Sequence, residues 1–291
     1  LVLAEIGVVF LVFTLGLEFS LGRMVAMKSE VLGIGGLQVL LCGLAFGGMA
    51  YAFGVHAGAA IVIGGALAMS STAIVLRQLG DQMELTRTHA RLALGILLFQ
   101  DLAFAPLLAL ATALSVSGDV PGPLWLLSMA GRGLVALVVV LVVGRWLLRP
   151  LFREIAHHRS TEVFTLTVLF VSLLAAWATD RMGLSMALGG FLAGMLLAET
   201  EFKHQTEAVI KPFQDILLGL FFVSVGMLLD LRLLLTQLPL VLLLIAVLLL
   251  IKAVIVALVV RRFVPNNRKA LRTAIAVSMG GEFGFALLTL L

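Results

Sequence analysis

The sequence predicts an all-α protein that crosses a membrane many times and is built from two halves of opposite orientation. Three observations predict it: an apolar composition, ten apolar segments separated by loops of alternating charge, and one offset that relates two pairs of those segments. The chain of 291 residues is 62% hydrophobic and 12% charged, with mean hydropathy +1.17. A soluble domain is about 45–50% apolar and about 25% charged, so the soluble classes are excluded and a polytopic membrane class remains. The net charge of +4 is spread over loops, where it bears on membrane orientation and does not form a nucleic-acid surface. The single cysteine, Cys42, lies in an apolar run. It offers no disulfide or metal framework and reads as a small core residue. The chain opens on Leu1 without a charged leader and ends on Leu291 in an apolar run, so helices are expected beyond both ends.

The segments, in order, are A (2–22), B (32–54), C (58–79), D (92–115), E (131–149), F (163–181), G (184–199), H (213–229), I (238–261) and J (270–291). Most are long enough to cross a hydrocarbon core about 30 Å thick at 1.5 Å per helical residue. G and H are short and read as tilted or half-spanning. Positive charge assigns the loops. Arg23 and Lys28 follow A, Arg87 and Arg91 follow C, and Arg149, Arg153 and Arg159 follow E. Lys203 and Lys211 follow G, and Arg261, Arg262, Arg268 and Lys269 follow I. The intervening loops carry little beyond Arg181 and Arg232. The alternation places the basic loops in the cytoplasm, so A runs inward and J outward.

Segment A contains FTLGLEFSL and H contains VSVGMLLDL; aligning Gly16 with Gly226 gives 226 − 16 = 210. Segment C contains AMSSTA and J contains SMGGEF; aligning Met69 with Met279 gives 279 − 69 = 210 again. Seven segments lie from A through G, an odd number, so the second copy enters the membrane upside down. Inverted repeats of this kind mark secondary transporters, whose site lies near the midplane at the repeat interface. The aligned positions in C and J are Ser70, Ser71 and Thr72 against Gly280, Gly281 and Glu282. Glycine weakens a helix by about 1 kcal/mol relative to alanine, and serine and threonine compete for backbone hydrogen bonds. The pair reads as two interrupted helices that cross, with close packing of small residues as the alternative for Ser70 and Ser71.

Four chemistry-bearing positions share one depth. Asp101 lies about ten residues into D, roughly 14 Å from the cytoplasmic face. Thr72, Lys252 and Glu282 lie similarly deep in C, I and J. An ionised group at that depth costs at least ~2.5–3.5 kcal/mol on insertion scales unless paired or hydrated. Asp101 is expected to hold a monovalent cation and a proton in turn. Lys252 is its expected charge partner, either releasing it when a cation arrives or held in a permanent ion pair. Gln100 either ligates the ion or hydrogen-bonds an unwound segment. Glu282 either coordinates or pairs with an exposed amide of J. Glu5, in the outer half of A, is expected to support the broken helices. Glu18 and Asp230, near helix ends, read as snorkelling to water. Pro106 is expected to kink D. His157 and His158 in AHHRS read as a solvated loop.

The stretches MSSTAIVLRQL, LLFQDLAFAPLLAL, GLSMALGGFLAGMLLAETEFKHQTEAVIKPFQDILLGLFFVSVGMLLDL and GGEFGFALL resemble the monovalent cation:proton antiporter-2 family. They are most similar to its Kef-type potassium efflux branch and lie within the wider set of sodium/hydrogen exchanger-like membrane domains. The resemblance implies an inverted-repeat cation/proton antiporter fold with crossed discontinuous helices, working as a homodimer in the bilayer. It implies K⁺ or Na⁺ and H⁺ as partners and a bacterial inner membrane as location. It implies Asp101 as the ion-carrying acid, Gln100 as its neighbour, Ser70 to Thr72 as the crossing break and Lys252 as the core lysine. No cofactor is expected within residues 1–291. Kef-type members often carry a cytosolic nucleotide-binding regulatory domain beyond the membrane part. The loop HQTEAVIKPFQD is less acidic than expected of the gated efflux systems. A channel-like efflux path is the competing class; an intramembrane aspartyl hydrolase would need a second aspartate at the depth of Asp101.

Overall fold

A computed structural model describes residues 9–10, 12–14, 16–17, 26–117, 128, 131, 135, 142, 146, 149–157, 160–182, 186–227 and 231–288. The described residues are helical with short connections and contain no strand. They form α1 (Ser29–Ala52), α2 (Ala57–Ala68), α3 (Thr72–Asp81), α4 (Thr88–Ser117), α5 (Arg149–His157) and α6 (Thr161–Arg181). There follow α7 (Met186–Ala198), α8 (Lys203–Met227), α9 (Leu231–Thr236), α10 (Leu238–Phe263), α11 (Asn267–Val277) and α12 (Glu282–Leu288). Several starts are set by side-chain caps that satisfy the free amides of a first turn. Ser71 Oγ accepts from the Ile74 amide at 3.3 Å, Ser160 Oγ from Val163 at 3.3 Å and Asn266 Oδ1 from Lys269 at 3.0 Å.

Two compact units divide the chain: Leu1–Leu21 with Pro121–Leu229, and Gly22–Val120 with Asp230–Leu291. In the first, Phe152 of α5 packs edge-on against Phe164 of α6 at 5.4 Å between ring centres, with Phe202 6.0 Å from Phe152. Ile210 of α8 completes this core. In the second unit, α1 packs along α2 through small residues. A Cβ on Gly47 would fall 2.9 Å from the Ala60 carbonyl oxygen, so backbones meet there with no room for a side chain. Val75 of α3, Ile96 of α4, Val259 of α10 and Ala274 of α11 share the core of this unit.

An offset near 210 residues also relates element boundaries within the second unit. Helices α1 and α10 begin 238 − 29 = 209 residues apart and end 263 − 52 = 211 apart, while α3 and α12 begin 282 − 72 = 210 apart. Segments C and J are each broken, into α2/α3 and α11/α12. The glycines that aligned A with H differ in surroundings: a Cβ on Gly16 would press on the Met195 amide at 2.8 Å, whereas Gly226 has nothing within 4 Å. Helix α10 presents Leu242, Leu243, Leu250 and Leu258 outward. At 26 residues it is about 39 Å long, enough to span a hydrocarbon core.

Two boundaries differ most from the sequence reading. HQTEAVIKPFQD is not a loop but the first half of α8, which starts at Lys203 and makes H a helix of 25 residues, not a short one. Ile210 and Thr206 are fully buried, and that packing holds the helix through Pro212. Segment D begins at Thr88, four residues earlier than expected. Helices α5 and α9 fall within stretches read as loops. Segment A beyond its few described positions, most of E, His158 and Arg159 lie outside the described residues.

Candidate ion site at the crossing of two interrupted helices

The site is built where α2 stops and α3 starts. The Met69 C-cap turns to φ −70°, ψ 147°, and Ser71 is likewise extended. The opened backbone meets the second interruption directly: a Cβ on Gly281 would fall 2.7 Å from the carbonyl carbon and oxygen of Ser70 and 2.8 Å from the Ser71 amide nitrogen. Only a residue without a side chain allows that approach. Ser70 Oγ donates to the Val277 carbonyl, the last of α11, at 2.6 Å. The two interruptions therefore touch through backbone and one hydroxyl.

Lys252, on α10, is 2% exposed. Its Nζ donates to the Met69 carbonyl at 2.5 Å and to the Met279 carbonyl at 3.4 Å. These two residues are the pair related by the 210-residue offset, so one ammonium serves symmetry-related carbonyls. Both oxygens belong to helix ends, where unpaired carbonyls and the helix dipole favour a cation. Lys252 was expected beside Asp101 as its charge partner. Among the described residues its hydrogen bonds go to these carbonyls instead, because the two C-terminal ends converge on α10 and supply the acceptors.

Asp101, on α4, is 6% exposed. Thr72 Oγ1 donates to its carboxylate, 3.2 Å from Oδ1 and 3.4 Å from Oδ2. Thr72 is the first residue of α3, so the carboxylate lies at a helix N-terminus, the end that favours negative charge. The acid and the ammonium thus stand at opposite poles of the interrupted helices.

The other residues expected at the ion have structural bonds. Gln100 Oε1 accepts from the Ser70 amide at 2.7 Å, and its Nε2 donates to Gln38 Oε1 at 2.8 Å and to the Ala68 carbonyl at 3.1 Å. Both its amide protons are used, and Oε1 takes the Ser70 amide, so Gln100 bonds the unwound segment while Oε1 keeps a second lone pair. Ser71 Oγ caps α3. Gly280 faces a hollow of about 280 Å³ lined by Phe46, Leu67, Leu248, Lys252 and Phe285, and a Cβ there would meet nothing within 4 Å. Glu282 opens α12. Glu5, Glu18 and Asp230 lie outside the described residues. The structure thus brings together Ser70, Ser71, Thr72, Gln100, Asp101, Lys252 and Gly281, and of the residues expected at the ion it turns Thr72 and Asp101 toward each other.

Gln38 is the residue that sequence reasoning missed. It is fully buried on α1, and its Nε2 donates to the Ala68 carbonyl at 3.2 Å. A lone amide inside an apolar span was the available signal.

The transmembrane sodium/hydrogen exchanger family matches residues 1–291. The chain is 44% identical over 290 residues to a protein named putative K(+) efflux antiporter KefB from Alkalimonas amylolytica, covering 99% of this chain and 44% of that one. It is 42% identical over 290 residues to K(+) efflux antiporter 1, chloroplastic, from Arabidopsis thaliana, covering 97% of this chain and 24% of that one. The chain spans less than half the length of these relatives. The solved structure of the sodium proton antiporter MjNhaP1 from Methanocaldococcus jannaschii matches with TM-score 0.70 at 17% identity, over 98% of this chain and 71% of that one. The fold is therefore the inverted-repeat cation/proton antiporter fold with crossed discontinuous helices, and the chain belongs to the transmembrane sodium/hydrogen exchanger family.

Proposed function

We propose that this chain is the membrane part of a secondary antiporter that exchanges K⁺, in preference to Na⁺, for H⁺ by alternating access, with cation and proton competing for Asp101. The observation that carries the proposal is the carboxylate of Asp101 against Thr72 at the start of α3, beside a crossing whose carbonyl ends are held by Lys252. A bare carboxylate is costly inside a bilayer. Either a proton or a cation neutralises it, so the loaded forms cross the barrier and the empty form does not. That exclusion couples the two fluxes.

The K⁺ preference is supported by the bacterial and plant relatives named as K(+) efflux antiporters. One carboxylate shared by one cation or one proton supports electroneutral exchange. The family resemblance supports a homodimer in the bilayer and a cytosolic regulatory domain, on the longer protein or on a separate chain. It also supports a bacterial inner membrane as location, although the plant relative is named as chloroplastic. Glu5 is assigned a supporting role at the broken helices, and Glu282 coordination or pairing at the start of α12.

The test is exchange in vesicles reconstituted with the full-length protein, wild type and Asp101→Asn, driven by a pH gradient with K⁺ or Na⁺ outside. The wild type is expected to move K⁺ against its concentration gradient and the variant to lose coupled exchange while remaining folded. Coupled exchange retained in Asp101→Asn rejects the assignment of the acid. Strictly downhill K⁺ flux in the wild type rejects the antiporter in favour of a channel-like path.

A further inference from the structure

The first interruption is held by two glutamines, and the second of them has no place in the ion-carrying scheme. Among the described residues, the hydrogen bonds of Gln38 on α1 go to neither Asp101 nor Thr72. Its bonds are to the Gln100 amide at 2.8 Å and to the Ala68 carbonyl at 3.2 Å. Gln38, Gln100 and Ser70 are each at most 1% exposed, so water does not compete for these bonds. Their direction is fixed by backbone chemistry. The Ser70 N–H can only donate and the Ala68 carbonyl can only accept. Gln100 must therefore turn Oε1 to Ser70 and Nε2 to Ala68 and Gln38, and Gln38 must turn Oε1 to Gln100 and Nε2 to Ala68.

We propose that Gln38 is a positioning residue for the ion site: it locks the Gln100 amide, which holds the Ser70 amide and so sets Thr72, two residues on, against Asp101. The inference rests on the reading of Asp101 as the ion-carrying acid. Gln100 and Asp101 are sequence neighbours on α4, and Ser70 and Thr72 flank Ser71 at the start of α3. The clamp therefore fixes the carboxylate and its hydroxyl partner relative to each other from both sides. Without Gln38, Gln100 Nε2 keeps only the Ala68 carbonyl. Its amide is then free to turn, and Ser70 loses a fixed acceptor. The effect is on the geometry of cation binding, and it travels through Gln100 together with Gln38's own bond to the Ala68 carbonyl.

The experiment is a double-mutant cycle in full-length protein reconstituted in vesicles, with KM for K⁺ and the pH profile of exchange measured for Gln38→Met, Gln100→Met and the double variant. Gln38→Met is expected to raise KM about fivefold, the scale of one buried hydrogen bond, and to shift the pH profile while leaving the maximal rate within about twofold. The double variant is expected to fall well short of the product of the two single effects, because the Gln38–Gln100 bond couples them. Wild-type KM and pH profile in Gln38→Met, or effects that multiply in the double variant, overturn the proposal. Should Gln38→Met not fold, Gln38→Glu takes its place: protonated, it keeps both the acceptor and the donor, and ionised it loses the donor. Its KM is expected to match wild type at the acid end of the profile and rise at the alkaline end, and a flat response overturns the proposal. Asp101→Asn measured alongside separates the two claims. If it abolishes exchange while the glutamine variants behave as wild type, only the role of Gln38 fails. If it retains exchange, the functional reading fails first.

Discussion

Gly281→Ala is a sharp perturbation of the crossing because its neighbour supplies the control. A Cβ at residue 281 would fall 2.7 Å from the carbonyl carbon and oxygen of Ser70 and 2.8 Å from the Ser71 amide. Ordinary contact begins at 3.4 Å, so the two interruptions must separate by 3.4 − 2.7 = 0.7 Å. The atoms in the way are backbone and cannot rotate aside. Overpacking of this kind costs about 1–3 kcal/mol, which leaves the protein folded. The displacement passes through the Ser70–Val277 hydrogen bond and the Ser70–Thr72 turn to Asp101. A misplacement of about 1 Å at a reacting centre costs roughly 100-fold, so exchange is expected to fall about 10- to 100-fold. Gly280→Ala adds the same methyl where nothing lies within 4 Å and is expected to keep exchange within about twofold. The assay is pH-gradient-driven K⁺ uptake into vesicles, with thermal unfolding in detergent to confirm the fold. Wild-type exchange in Gly281→Ala, or equal damage from Gly280→Ala, refutes the close crossing.

Three further outcomes are expected. Thr72→Val keeps the shape of the side chain and removes a hydroxyl that donates to the Asp101 carboxylate; KM for K⁺ should rise about three- to tenfold, read in the same uptake assay, and an unchanged KM would remove Thr72 from the site. Lys252→Met leaves the Met69 and Met279 carbonyls without their ammonium, and thermal unfolding should show a loss of about 1–3 kcal/mol; a more stable variant would mean that burying the charge costs more than its bonds return. In the connection between α3 and α4, Glu84 bonds Arg272 at 2.8 Å and His89 at 2.9 Å. Burial pushes its carboxyl up, but the Arg272 charge and the bonds to His89 and Arg272 outweigh this and hold it below the ordinary value. A depressed carboxyl stabilises the fold above the unfolded-state pKa of about 4.3, and that stability disappears as pH falls through the lower folded value. Wild type should therefore exceed Glu84→Gln in melting temperature at pH 7, with the gap closing below about pH 4; a gap that persists in acid would contradict this.

The interruptions were legible because glycine, serine and threonine in the middle of apolar runs leave few alternatives, and the common offset tied Ser70–Thr72 to Gly280–Glu282 before any coordinates. The burial of Asp101 and Lys252 was legible from their place inside apolar runs. What each of them bonds was not. Residue counts put Lys252 and Asp101 at one expected depth, and that alone suggested an ion pair. The acceptors that Lys252 uses are backbone carbonyls that exist only because two helices end, and the sequence does not say which way those ends converge. Gln38 escaped notice because its partner Gln100 is 62 residues away and its meaning lies wholly in that contact. The start of α8 was hidden by its own composition: charges and Pro212 suggested a loop, while burial of Thr206 and Ile210 against the aromatic core of the first unit holds it helical.

The most direct measurement of competition at Asp101 is the KM for K⁺ of the wild-type full-length protein as a function of proton concentration on the acid side of the profile. One carboxylate shared by two ions predicts that KM rises in proportion to proton concentration, about tenfold per pH unit, with the maximal rate unchanged. A KM that stays constant while the maximal rate falls with acid would place the proton elsewhere and contradict the shared site.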